Sequence, residues 1–103
     1  MVTICQLGEW DIRLHQAMNE REAAHINVYV SPNECYRFWI ESLEQLETDV
    51  RRAPRGMQRK IREWGAVLRP LLHQAWQDSL AGRPIDKSGL CPPKRLQGRI
   101  KGK

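Results

Sequence analysis

One apolar stripe constrains this chain more than any other feature. Ile61, Trp64, Gly65, Leu68, Leu71, Leu72, Ala75, Trp76 and Ser79 recur at three- and four-residue intervals, a period that brings side chains onto one face only in a helix. A helix from about Gln58 to Leu80 follows, ended by Gly82 and Pro84, the usual stop residues. Pro70 lies inside it and lacks the N–H that would bond Ala66, so the sequence predicts a kink there or two abutting helices, at a local cost of ~3 kcal/mol.

A stripe of this kind needs a second layer to cover it, and the first half of the chain supplies one by changing period. Val2–Leu7 and Trp10–His15 read as short strands around a Gly8-Glu9 turn. In the second, Trp10, Ile12 and Leu14 alternate with Asp11, Arg13 and His15. Gln16–Ala24 has no period and reads as a loop. His25–Val30 alternates again, with Ile26, Val28 and Val30 on one face and His25, Asn27 and Tyr29 on the other. After a Ser31-Pro32-Asn33-Glu34 turn, Cys35–Ile40 sets Tyr36, Phe38 and Ile40 against Cys35, Arg37 and Trp39. Leu43, Leu46 and Val50 in Glu41–Val50 suit a short helix or a further strand, and Arg51–Gly56 breaks any element. The expected fold is α+β: an antiparallel sheet of four to five strands, packed on one face by the 58–80 helix.

At 103 residues the chain has room for one domain, expected over residues 1–84. That segment holds eleven Lys/Arg and eleven Asp/Glu, so the net charge of +5 lies in residues 85–103, read as a basic, flexible tail. No apolar run approaches the ~18 residues of a membrane span. The start Met1-Val2-Thr3-Ile4-Cys5 has no basic leader or apolar signal core, so a cytoplasmic location away from any membrane is expected. Cys5, Cys35 and Cys91 show no Cys-x-x-Cys or Cys/His spacing, which argues for reduced thiols and against a metal site, and no motif calls for a cofactor.

Two constellations carry chemistry. His25, Asn27 and Tyr29 share one strand face, with Arg37 on a neighbouring strand. His25, Tyr29 and Arg37 are the residue types that metal-independent RNA cleavage uses as base, acid and phosphate clamp, but no catalytic motif is complete and a solvated sheet face is the favoured account of them. Arg51, Arg52, Arg55, Arg59, Lys60 and Arg62 form a twelve-residue run without an acidic residue. With His25 and Asn27, these arginines are the expected contacts for RNA or DNA, and the carboxylates just upstream, Glu41, Glu44, Glu47 and Asp49, are the reading in which the run is a balanced surface. Exposed sheet edges would let a protein partner or a second copy add a strand.

Met1-Val2-Thr3-Ile4, Ala23-Ala24-His25-Ile26-Asn27-Val28, Arg37-Phe38-Trp39-Ile40 and the helix with Leu71, Leu72 and Trp76 before Gly82 together resemble the small bacterial domain-of-unknown-function family number 4160, over about residues 1–84. That family shows two prolines and a second histidine at the junction, where this chain has Ala23, Ala24 and Asn27. The resemblance implies a compact α+β domain, favours a strand for Glu41–Val50, and implies a bacterial or phage accessory protein of toxin-antitoxin type with a protein partner encoded nearby. The missing second histidine argues against a mechanism that needs both, such as a two-histidine metal site or a histidine acid/base pair. The reading is thus of a protein that binds RNA or a protein partner through the His25 rim and the 51–62 segment, with a purely protein-binding regulator or inhibitor as the alternative and a ribonuclease third.

Overall fold

The computed structural model describes residues 2–14, 23–87 and 89–90. Four strands, β1 (Val2–Leu7), β2 (Trp10–Leu14), β3 (His25–Ser31) and β4 (Glu34–Trp39), precede one helix, α1 (Arg55–Leu80). The strands form one antiparallel sheet in the order β1-β2-β3-β4. Gly8 turns the first hairpin at φ 66°, a value that glycine adopts without strain. The fold is therefore the expected α+β one, with four strands.

The core lies between the sheet and α1. Ile12, Ile26, Val28 and Phe38 are fully enclosed, and the helix contributes Met57, Ile61, Trp64, Leu72, Ala75 and Trp76. Two apolar residues that the sequence periods turn inward fall elsewhere. Val30 is 40% exposed because the β3–β4 register shifts between Tyr29 and Ser31, which ends the alternation before Val30 can face inward. Leu71, at the margin of the helical stripe, is also largely exposed.

The helix begins three residues before its expected start. Pro54 sits at φ −56° and ψ 147°, and its carbonyl accepts the Gln58 N–H, so the prolyl residue that ends the preceding loop also opens the helix. Arg55 and Gly56 are helical rather than part of a break, and Met57 joins the core. α1 runs as one element through Pro70, which is exposed on the solvent side, so there are no two abutting helices.

Glu41–Val50 is neither helix nor strand. It touches β4 at one bridge, Phe38 to Gln45, with the Trp39 N–H donating to Glu44 and the Leu46 N–H to Arg37. Gln45 holds the segment by donating to the Asp49 carboxylate and the Arg51 carbonyl and accepting from the Ala53 N–H. Leu43 takes the left-handed conformation at φ 61° and is buried against Gly65, where a Cβ would stand 2.5 Å from Leu43 Cδ2. The stripe position Gly65 is thus the seat on α1 for this loop. A strand needs an unbroken extended run, which the Leu43 conformation prevents.

The packed region passes the expected Pro84 boundary. Ile85 lies against the core, Leu90 is buried, and the Leu90 carbonyl accepts the Trp64 indole N–H at 3.1 Å. The remainder of the expected tail, 91–103, and most of the 16–24 loop are outside the described residues. Among the described residues no helix is long and apolar enough to cross a membrane.

Candidate functional site

The sheet face turned away from α1 carries Asn27 and Tyr29, and His25 stands at the end of the same strand where sheet and helix meet. Pairing places Asn27 between Arg13 on β2 and Arg37 on β4, Tyr29 between Asp11 and Cys35, and His25 opposite Trp39. The charges on this face are closed on one another. Arg13 pairs with Asp11 at 3.1 Å and lies 4.6 Å from the Tyr29 ring centre. Arg37 grips Asp49 at 2.7 Å and also reaches Thr48.

Asp49 accepts from the Arg37 backbone N–H, Arg37 Nε and Gln45. Burial pushes its carboxyl up, and these hydrogen bonds with the Arg37 charge outweigh that, holding it below the ordinary aspartate range. The Cys35 thiol is pushed up, chiefly by burial. Both groups behave as parts of a settled structure.

The His25 ring lies 6.3 Å from Trp39 and 5.3 Å from Trp76, and its Nδ1 donates to the Ala23 carbonyl at 3.0 Å. It is thus packed at the sheet–helix junction instead of standing free on a rim. Tyr29 is four residues along the same strand, roughly 13 Å away at ~3.4 Å per residue. To serve one scissile phosphate as base and acid, the two side chains would have to lean toward each other along the strand. Asn27 is 4% exposed and its Oδ1 has no hydrogen-bond partner among the described residues. Among the described residues no cluster of three His, Cys, Asp or Glu could hold a metal.

The 51–62 arginines divide into two groups. Arg52 is structural: its Nη2 donates to the carbonyls of Leu46 and Asp49. Arg51 lies beside the Tyr36 hydroxyl. Arg55, Arg59 and Arg62 are exposed, and their i, i+4, i+7 spacing puts them on one flank of α1. No carboxylate of the described residues comes within 4.0 Å of any of the three.

That flank is the one the 41–54 loop runs beside. Glu41 pairs with His73 at 2.9 Å, Leu43 seats on Gly65, and Glu44 and Glu47 line a pocket of about 300 Å³ together with Arg52, Gln58 and Arg62. Two exposed carboxylates, Glu44 and Glu47, therefore lie next to the exposed Arg62, at one end of the arginine row. In the sequence the two rows are an acidic stretch followed by a basic one; only the fold of the loop back along α1 turns them into neighbours. The three-residue spacing of Glu41, Glu44 and Glu47 was the available signal for the acidic row. No family model matches the chain, and no curated protein or solved structure matches it either.

Proposed function

We propose that this chain is a non-enzymatic accessory protein that acts by docking a protein partner on the flank where Glu41, Glu44 and Glu47 adjoin Arg55, Arg59 and Arg62. The observation that carries the reading is the placement of Glu44 and Glu47 beside Arg62 in one pocket, with Glu41 further along α1 against His73. A phosphate backbone is uniformly negative and gains from a field of one sign, whereas a protein surface can present both signs in register. The sheet face supports the same reading by default, since its arginines already hold Asp11 and Asp49.

The resemblance to family 4160 adds a setting: a toxin-antitoxin-like pair in which the partner is encoded beside this chain, in a bacterium or phage. Co-expression with the product of the neighbouring gene tests both parts. Arg62→Glu and Glu44→Lys should each weaken the complex, and unchanged binding in both variants would remove the flank from the interface.

RNA or DNA binding is the second reading, and one observation favours it. The α1 N-terminus has no side-chain cap and no acidic residue in its first turn, yet it begins with Arg55, a cation at the positive end of the helix dipole. An anion there would be welcome. Salt-dependent affinity for RNA, lost in Arg55→Glu, would establish this reading over the first.

A further inference from the structure

We propose that the partner suited to the charged flank is a second copy of this chain, forming a two-fold dimer in which the arginine row of one copy faces the carboxylate row of the other. The inference rests on the protein-docking reading above and names its partner. A surface carrying adjacent rows of opposite sign is self-complementary about a two-fold axis placed between the rows, because the axis exchanges them. Arg62 then meets the other copy's Glu44 and Glu47, with Arg59 and Arg55 continuing the basic row beside it.

Four further observations fit this occupant. Arg62 shares a pocket with Glu44 and Glu47 without an ion pair to either, so both signs are available to a neighbour. Arg55 at the positive end of α1 is offset once the facing row is acidic. The sheet also offers little at its β4 side, where Gln45 bridges to Phe38 and occupies the edge. The loop that supplies the carboxylates is fixed by Gln45 and Asp49, so the acidic row meets its partner preformed, and little ordering opposes association.

Sedimentation equilibrium of the full chain decides the matter. The wild type should dimerise at ~0.1 M salt and dissociate at ~1 M, where the screening length falls from ~10 to ~3 Å. Arg55/Arg59/Arg62→Glu makes both rows acidic and Glu44/Glu47→Lys makes both basic. Each variant alone should associate at least tenfold more weakly than wild type, and mixing the two should restore a one-to-one heterodimer. Circular dichroism checks that each is folded, and the neutral set Arg55/Arg59/Arg62→Gln replaces the acidic one if it is not, with the same loss of homodimer expected. A wild type that stays monomeric at low salt overturns the proposal. So does a dimer that persists in both variants, which would mean pairing through another surface such as β1. A monomer that still loses its neighbour-encoded partner with Arg62→Glu overturns the self-association while leaving the protein-docking function standing.

Discussion

Arginine does opposite things on the two sides of this molecule. On the sheet face, Arg13 and Arg37 are each held by a carboxylate, at 3.1 and 2.7 Å, and Arg37 in turn orients the loop beyond β4. On the α1 flank, Arg55, Arg59 and Arg62 are exposed and hold nothing among the described residues. The contrast teaches that a count of basic residues says little about a binding surface, since the decisive property is which cations the fold has already used.

The sharpest test of that contrast removes the carboxylate on which the sheet-face side depends. Asp49→Ala strands the Arg37 backbone N–H and Nε and removes one of the two acceptors of Gln45 Nε2. Hydrogen bonds to a charged group contribute ~1.5–3 kcal/mol each, not additively, and solvent at the part-exposed Arg37 end discounts them, so a loss of about 2–3 kcal/mol in urea unfolding is expected. Arg62→Ala should lie within ~0.5 kcal/mol of wild type in the same assay. Equal losses in the two variants would erase the distinction between tied and untied arginines.

Acid should reveal the same carboxylate. The folded-state pKa of Asp49 is lowered, so folding favours the ionised form. Its contribution is fully present above the unfolded aspartate pKa of ~3.9 and disappears as pH falls through the lower folded value. Asp49→Asn should therefore flatten the stability profile below pH ~4 relative to wild type, and an unchanged acid slope would show that other carboxylates set it.

The seam between the two regions gives a smaller effect. Gly→Ala in a helix interior ordinarily gains ~1 kcal/mol. At Gly65 the new Cβ would stand 2.5 Å from Leu43 Cδ2, and Leu43 is buried with its backbone held at φ 61°. Overpacking of this kind costs about 1–3 kcal/mol, so Gly65→Ala should lower the melting temperature. An increase would show that the loop yields freely, and with it the acidic row.

Much of the fold was legible because it depends on local period. The alternation of Trp10, Ile12 and Leu14, and of Ile26 and Val28, placed β2 and β3, and the Ile61–Ser79 stripe placed α1. What escaped depends on contacts between distant residues. Leu43 and Leu46 look equally at home in a helix or a strand; the deciding partners, Gly65 for Leu43 and Asp49, Arg51 and Ala53 for Gln45, are set by tertiary packing. Leu90 carries no periodic signal at all, and its burial rests on the Trp64 indole. At the site, the residue types on the β3 face were readable, whereas the closure of Arg13 and Arg37 on carboxylates was not. The two-sign flank was hidden in the same way, because nothing in the order of acidic and basic residues shows that the loop returns along the helix.

The smallest expected effect runs against intuition and isolates the untied arginines. Arg55 opens α1, whose first turn holds no acidic residue and whose N-cap, Pro54, offers no side-chain acceptor. A cation there opposes the helix dipole, while a carboxylate gains ~0.3–1 kcal/mol at such a position. Arg55→Glu should therefore raise the stability of the monomer slightly, measured at ~1 M salt for association and extrapolated toward low salt for the dipole term. If it does, the residue at that position is kept against the preference of the fold, and its use lies in what the flank binds. If stability falls, Arg55 has a structural partner after all and belongs with Arg13 and Arg37 on the other side of the comparison.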